Sequence, residues 1–581
     1  MQKKWVSGVI VLSLLAIGGV IVYANSFSNG FHYDDGHHIV KNPHIRSLDN
    51  VRSFFTNPET FSGKLKKHQH YRPLLMMSYA FNYAFGDLSP SGYHLTNLAF
   101  HIGTAFLVFL IVQAMLRIPP YPALAAALLF LTTPFNSEVV NYISTRSSVM
   151  SAFFYMLSFY CWVSYRSKKL EVRGQNKSYF LPLTSYFYLA SLIAFLLGML
   201  TKEVVITLPV ILWLYDLYFV PMKRKTGHFK RLVVYLPFVL SVVIPYLIIR
   251  ETFLDSGLPP FKRSIMVQFY TGTFVLIKYV RLLLFPTGLS VEHDIEIYDS
   301  FFVLPVAGSF ILLISLLVLA VWLYRSRGHE WRVVSFFTLW FFVVLIPTTI
   351  FPLNAILQEN RGYLAAVSMT VFAGIAAGKF RAHYPRLSLF SLIALLVLFS
   401  TATHTRNIVW KDDIILYSDV ITKYPDLEKA YVVLAGRYRD NKMPEESIRV
   451  LKRYISRNPD NVSIRWYLGL MYREEGQNSL ALKELDAILK IDPSNADFHS
   501  DIGALYYEEG MWSQAEEHLL KAIELKGNHM RSHKNLGLLY RSQGKIEAAA
   551  REFRTVEHLK RQSAGEGGVP EFNRDSDYLK K

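Results

Sequence analysis

The chain has 581 residues, of which 51% are hydrophobic, 15% aromatic and only 18% charged, with 62 Lys or Arg against 45 Asp or Glu. Globular proteins carry roughly 25% charged residues, and a mean hydropathy of +0.22 over this length excludes an ordinary soluble enzyme; 41 Phe, 35 Tyr and 9 Trp exclude a disordered chain. The single cysteine, Cys161, excludes a disulfide framework and a cysteine-based zinc site.

The net charge of +17 lies entirely in residues 1–403, because the residues from 404 onward balance. Within 1–403 the basic residues gather in short stretches between apolar runs, at Lys3-Lys4, Arg166 to Lys177, Lys223 to Arg231, Arg325 to Arg332 and Lys379 to Arg386. That is the positive-inside pattern of a polytopic membrane protein. A nucleic-acid binder would instead show a basic face on its soluble part.

The first apolar run, 5–24, follows Lys3-Lys4 and lacks a good cleavage site, so it reads as an uncleaved anchor. A polar outer loop, 25–92, comes next. Further spans are expected near 93–116, 121–135, 147–165, 180–200, 204–220, 232–250, 301–324, 333–351, 363–379 and 387–403, about eleven in all. The apolar segment 265–286 contains Lys278 and Arg281 and precedes an acidic loop, Glu292 to Glu296. The basic clusters share one side only if this segment does not cross, so it is expected to be re-entrant or interfacial on the outer side. An odd number of spans then leaves the N-terminus cytoplasmic and the C-terminal region extracytoplasmic.

Residues 404–427 read as a linker, and a repeat of 34 residues begins at 428, in blocks 428–461, 462–495, 496–529 and 530–563. Tyr438, Tyr472, Tyr506 and Tyr540 recur in one register; Gly469, Gly503 and Gly537, and Gly476, Gly510 and Gly544, recur in two others. Ala481, Ala515 and Ala549 hold a fourth. This is the tetratricopeptide pattern, in which small residues let paired helices approach and the tyrosine packs between them. Residues 564–581 read as a disordered tail. The fold class is all-α, a polytopic membrane domain over 1–403 followed by an α-solenoid of four repeats over 428–563.

Chemistry concentrates in the expected outer loops. Asp34 and Asp35 follow the first span closely, at the height of the bilayer surface. A carboxylate there could take the proton of an acceptor hydroxyl; the bland reading is an Asp-Asp-Gly turn that only shapes the loop. Arg72 precedes the second span, Glu138 and Arg146 lie between the third and fourth, Lys202 and Glu203 form the turn between the fifth and sixth, and Glu359 and Arg361 precede the tenth. Ions at a membrane edge mark a site or a mutual pair. Arg72, Arg146, Lys202 and Arg361 suit a lipid phosphate, with Glu138, Glu203, His293, Asp294 and Glu359 in support. His32, His37, His38 and His44, then His68 and His70, share the first loop; without cysteine or a His-x₃-His helix the spacing does not support a metal ligand set, and a divalent metal stays an open alternative.

The Asp-Asp loop, Tyr71-Arg72-Pro73-Leu74, the stretch from Glu138 to Arg146, Thr201-Lys202-Glu203, the loop from Leu289 to Asp294 and the repeats, taken in this order, resemble the transmembrane-and-tetratricopeptide-repeat O-mannosyltransferases. These are polyprenyl-phosphate-dependent glycosyltransferases of the GT-C superfamily. The resemblance implies an eleven-span core, a catalytic aspartate in the first outer loop (Asp35, with Asp34 beside it) and inverting transfer of mannose to Ser or Thr of an extracytoplasmic protein. It also implies acceptor proteins as partners of the repeats, no required cofactor, and a home in the bacterial inner membrane or the endoplasmic reticulum. Residues 358–364 depart from the family's Glu-Arg-Tyr-type motif, and there are fewer repeats than in its animal members. Two other readings stay open from the residues themselves: a non-enzymatic membrane scaffold that gathers partners, and a GT-C transferase that modifies lipid or glycan.

Overall fold

The computed structural model describes residues 2–62, 71–116, 119–175, 181–221, 233–242, 263–326, 328–350 and 355–565. The chain divides into two compact units, Met1–Asp412 and Asp413–Lys581. Both are helical, and no strand occurs among the described residues.

The first unit runs α1 (Gln2–Tyr23), a polar loop holding α2 (Val51–Thr56), α3 (Pro73–Gly86), α4 (Pro90–Leu116), α5 (Tyr121–Thr132), α6 (Glu138–Asn141), α7 (Arg146–Gln175), α8 (Leu181–Met199) and α9 (Leu208–Phe219). It continues with α10 (Val233–Val242), α11 (Ile265–Leu284), α12 (Leu304–Arg325), α13 (His329–Ile350), α14 (Tyr363–His383) and α15 (Pro385–Val409). Among the described residues, seven helices are long and apolar enough to cross a membrane, or eight if α5 and the segment Pro134–Asn141 form one bent span.

The difference from eleven has local causes. Pro134 has no N–H to continue α5 and pushes Thr133 into an extended conformation, so that span bends by 52°. The chain from Glu203 to Thr207 winds as a 3₁₀ turn ahead of Pro209, which shortens α9 to 12 residues. In α7, buried Ser147, Ser148, Ser151 and Ser158 replace apolar groups. Ser158 Oγ donates to the Ser191 carbonyl at 2.6 Å and binds its neighbour α8 closely, the use small hydroxyl residues find between membrane helices. The second half of the expected span 232–250 lies outside the described residues.

The segment expected to be re-entrant or interfacial is one unbroken helix, α11, by length and composition apolar enough to cross. Its polar contacts say where it lies. Gln268 donates to the Thr349 carbonyl at 2.8 Å, in the last turn of α13; Tyr279 donates to the Gln358 carbonyl at 2.8 Å; Arg281 turns back to the Thr287 carbonyl at 2.6 Å. Both halves of α11 therefore meet residues at one end of the bundle.

The core is a continuous apolar cluster among α4, α5, α7, α13 and α14, with Trp162, Trp340, Phe159, Phe336 and Tyr155 buried in it. Gly374 of α14 lies against the Pro122 carbonyl of α5, where backbone would obstruct any larger residue. Three buried asparagines close the unit at the same end as α11's contacts. Asn141 bridges Asn29 at 2.8 Å and Asn407 at 2.7 Å, and Asn407 reaches the Val22 carbonyl at 3.0 Å. The end of α1, the turn after α5 and the end of α15 are so fixed together.

The second unit holds α16 (Asp413–Lys423) and four helix pairs: α17 (Glu428–Asp440) with α18 (Pro444–Ile455), α19 (Val462–Glu474) with α20 (Asn478–Ile491), α21 (Ala496–Glu508) with α22 (Trp512–Leu525) and α23 (Met530–Ser542) with α24 (Ile546–Gly565). The expected linker 404–427 thus contains the end of α15 and the whole of α16, which buries Leu416, Tyr417, Val420 and Ile421. Gly476, Gly510 and Gly544 turn between paired helices with φ of 70°, 72° and 75°, the left-handed backbone glycine adopts without strain. In the first pair Lys442 holds that register with φ 60°. Residues 566–581 of the expected tail lie outside the described residues.

Candidate active site

The loop after α1 is anchored before it is chemical. His32 is 2% exposed, and its Nε2 meets the Trp410 carbonyl at 2.7 Å. Tyr33 follows with φ 47°, a left-handed conformation that costs a tyrosine energy and that surrounding structure must hold. From here the chain turns helically, the His38 N–H reaching the Asp34 carbonyl at 2.8 Å, and Gly36–Val40 winds as a π-helical turn. Such turns recur at functional sites because they re-aim side chains.

The two aspartates part ways. Asp35 is fully buried. One oxygen accepts the His32 N–H at 2.9 Å; the other accepts the Ser144 N–H at 2.7 Å and its hydroxyl at 2.5 Å. Burial raises its carboxyl to about 6, against the pull of those hydrogen bonds. Asp35 ties the first loop to the turn before α7. The Asp34 side chain is 60% exposed and pairs with His37 Nε2 at 3.1 Å. Partial desolvation works to raise its carboxyl, but the hydrogen bond from His37 and the fields of His38 and His37 outweigh it and hold it at about 2. Asp34 is the ionised, accessible member. The ligand atoms of Asp34, His37 and His38 lie within 4.8 Å of one another, a grouping that the sequence spacing did not suggest. His68 and His70 lie outside the described residues.

The cations divide likewise. Arg146 is buried completely, donating to Asn97 Oδ1 at 2.8 Å, the Ser78 carbonyl at 3.2 Å and the Tyr93 carbonyl at 3.0 Å, with its guanidinium 4.7 Å from the Tyr79 ring centroid. It locks α3, α4 and α7 together and is not among the groups facing an anion. Arg72, immediately before Pro73 at the start of α3, forks onto Glu203 through Nη2 at 2.9 Å; Nη1 takes no part in this fork. Lys202 donates to Ser148 Oγ at 2.6 Å. Burial lowers its amine to about 7, and the charges of Arg72 and Arg361 push the same way against Glu203 and Glu138. Arg72 and Arg361, from two other loops, thus lie near enough for their charges to oppose that of Lys202, with Glu203 and Glu138 acting against them. Phe61 joins this place to the aspartate loop, its ring 5.8 Å from the Arg72 guanidinium and 4.5 Å from the His38 ring.

The acids supply the frame. Ser148 Oγ reaches Asn360 at 3.1 Å, and Asn360 Nδ2 and N–H donate to the two oxygens of Glu138 at 2.6 and 3.2 Å. Glu359 Oε1 accepts the Ser290 N–H at 2.7 Å and meets His293 Nε2 at 3.0 Å. Its Oε2 and the Ser290 hydroxyl are buried with no hydrogen-bond partner among the described residues, a polar niche large in unmet demand. Asp294 is exposed and stands outside this network. Sequence reasoning missed Ser144, Ser148 and Asn360. Their contacts span 109, 54 and 222 residues, distances at which no local pattern carries a signal.

Two family models match the second unit, "TPR repeat" over residues 469–510 and "Tetratricopeptide repeat" over 501–564. The chain is similar to the human "Protein O-mannosyl-transferase TMTC3", 23% identical over 489 residues that cover 78% of this chain and 52% of that protein. It is similar to the Caenorhabditis elegans "Protein O-mannosyl-transferase F38B6.6", 21% identical with 77% and 62% covered. A shorter stretch of 176 residues is 32% identical to the Drosophila melanogaster "Protein O-mannosyl-transferase Tmtc1", covering 29% of this chain and 19% of that protein. The chain spans about half the length of the curated relatives it matches. Among solved structures, a crystal structure of MamA aligns with 26% of this chain and 89% of its own at 22% identity and a TM-score of 0.25.

Proposed function

We propose that this chain, similar over three quarters of its length to the transmembrane-and-tetratricopeptide-repeat O-mannosyltransferases, moves a mannosyl group from a polyprenyl-phosphate donor to a Ser or Thr hydroxyl of a protein. The observation that carries this reading is the convergence of Arg72, Lys202 and Arg361 next to a loop bearing an exposed carboxylate. Arg72 is already paired with Glu203, and the charges of Lys202 and Arg361 beside it are costly at a membrane edge unless they meet a further anion. A lipid phosphate that gains charge as it leaves is the anion such a set stabilises most in the transition state.

In this mechanism Asp34 is the base, in place of Asp35. The acceptor oxygen attacks the anomeric carbon and gives its proton to the Asp34 carboxylate. The bond from that carbon to the phosphate oxygen breaks, the electron pair leaves with the lipid phosphate, and Arg72, Lys202 and Arg361 hold the charge. One displacement inverts the anomeric centre. Glu203 orients Arg72; Glu138 and Glu359, through Asn360 and His293, set the turn that carries Arg361. The repeats bring the acceptor protein through their side-chain surface. The site then lies on the extracytoplasmic face of the membrane.

The test is transfer by the full-length chain in detergent, from polyprenyl-phosphate mannose to a Ser/Thr peptide. Asp34→Asn is expected to lower the rate by roughly 10²–10⁴-fold with thermal stability intact. Asp35→Asn turns an amide toward two Ser144 donors, so it is expected to act chiefly on stability, by about 1–3 kcal/mol. Wild-type rates for Asp34→Asn, or no transfer by the wild type, overturn the reading.

A further inference from the structure

We propose that Asp34, His37 and His38 form a binding site for one divalent first-row cation of the Zn²⁺ or Co²⁺ class. The local backbone makes the grouping. A helical turn begins at Asp34, whose carbonyl accepts the N–H groups of His37 and His38 at 3.1 and 2.8 Å, so positions i, i+3 and i+4 fall on one face. Their ligand atoms lie within 4.8 Å of one another, a separation that small side-chain rotations close to the 2.0–2.2 Å bonds of such ions.

An outer ring of hydroxyls supports the imidazoles. Ser62 Oγ is 3.1 Å from His37 Nδ1, while His37 Nε2 turns inward to Asp34. Ser144 Oγ is 3.4 Å from His38 Nδ1 and donates its own proton to buried Asp35, which leaves it an acceptor for the ring N–H. Hydrogen bonds of this kind fix ring orientation and tautomer around protein-bound metals. An ion pair between Asp34 and His37 needs neither the Ser62 contact nor the adjacent second ring, whose centroid stands 4.1 Å from the first. Two imidazoles and one carboxylate select borderline cations over Mg²⁺ or Ca²⁺. The Asp34 side chain is 60% exposed, so the site is open on one side, as sites that take a further ligand are.

Metal binding here does not depend on the mannosyl-transfer reading; only its consequence does. In that reading Asp34, His37 and His38 would hold the cation, which would acidify the acceptor hydroxyl whose proton Asp34 receives.

The experiment uses the purified full-length chain in detergent, stripped by chelator and titrated with Co²⁺ alone. Expected are visible d–d bands saturating at one equivalent, bleached by Zn²⁺. His37→Ala and Asp34→Asn should weaken binding at least 10-fold, while His518→Ala in the repeats should not. His38 is buried, so His38→Asn is judged together with a thermal melt, and Zn²⁺ should raise the melting temperature of the wild type but not of His37→Ala. Equal titrations of wild type, His37→Ala and Asp34→Asn overturn the site. A chain that transfers mannose yet shows no such Co²⁺ signal overturns the site and leaves the proposed function standing; a chain that binds Co²⁺ as described and transfers nothing does the reverse.

Discussion

In the proposed mechanism Lys202 is expected to couple proton uptake to donor binding. Burial first, then Arg72 and Arg361, bring its amine from 10.5 to about 7, against Glu203 and Glu138. Between those two pH values the unfolded chain binds the proton and the folded chain does not, so this group's contribution to stability falls as pH drops through the window and rises as pH climbs. An anion wants the opposite, a charged amine. Affinity for a prenyl-phosphate donor is therefore expected to be greatest below about pH 7 and to weaken above it. Donor KM measured from pH 6 to 9 checks this; Lys202→Arg, which stays charged, should flatten the profile, and Lys202→Met should raise KM at the acid end. A wild-type profile as flat as that of Lys202→Arg overturns the assignment. The residue scale is also where the sequence was least legible. Asp34 and Asp35 are neighbours of one type, and what separates them is Ser144, 109 positions away. Arg146 looked like its fellow cations until Asn97, Ser78 and Tyr93 took up its donors.

Elements were legible where each repeats its own packing. The helix pairs fall where the recurring Gly, Ala and Tyr place them, because every pair solves the same contact. The glycine register still hides a difference. A Cβ at Gly469 would meet Ala481 O at 3.6 Å, an ordinary contact, whereas at Gly503 it would meet Leu519 Cγ at 2.7 Å. Ala435 already occupies the register in the first pair and is buried. Gly469→Ala is expected to stabilise by up to about 1 kcal/mol through helix propensity. In Gly503→Ala that gain is offset by overpacking of about 1–3 kcal/mol. Thermal or denaturant melts of the two variants should thus move in different directions; equal shifts would mean that Leu519 yields freely. Membrane helices were less legible, since hydropathy registers apolar length but not the break at Pro134 or the destination of α11.

For the whole molecule the question is sidedness. The hydrogen bonds of Asp35, Asn141, Lys202, Glu359 and Asn407 gather the turns after α1, α5, α8 and α11 and the end of α15 at one end of the first unit. Both halves of α11 belong to that end, so Arg166, Arg325, Arg332 and the stretch from Lys379 to Arg386 fall toward the other. By the positive-inside rule the site end is expected to face outward. A reporter fused after Lys560 is expected to be active only outside the cytoplasm, and one fused at Arg386 only inside; the reverse pattern would overturn this topology. The balanced charge of the repeats and the basic excess of 1–403 foretold two bodies. They did not foretell that the division falls at Asp412 with α16 beyond it, because α16 is an amphipathic helix too short to declare itself between a span and a repeat.

The starts of α17, α19, α21 and α23 fall at 428, 462, 496 and 530 with nothing inserted between pairs, which makes the second unit a ruled strip. Two cuts placed 34 residues apart leave ends at the same position of the repeat, so removing or adding a whole cassette keeps the helix register across the seam. A cut of any other length misregisters every helix downstream. The reach of the unit is therefore counted in whole pairs of helices.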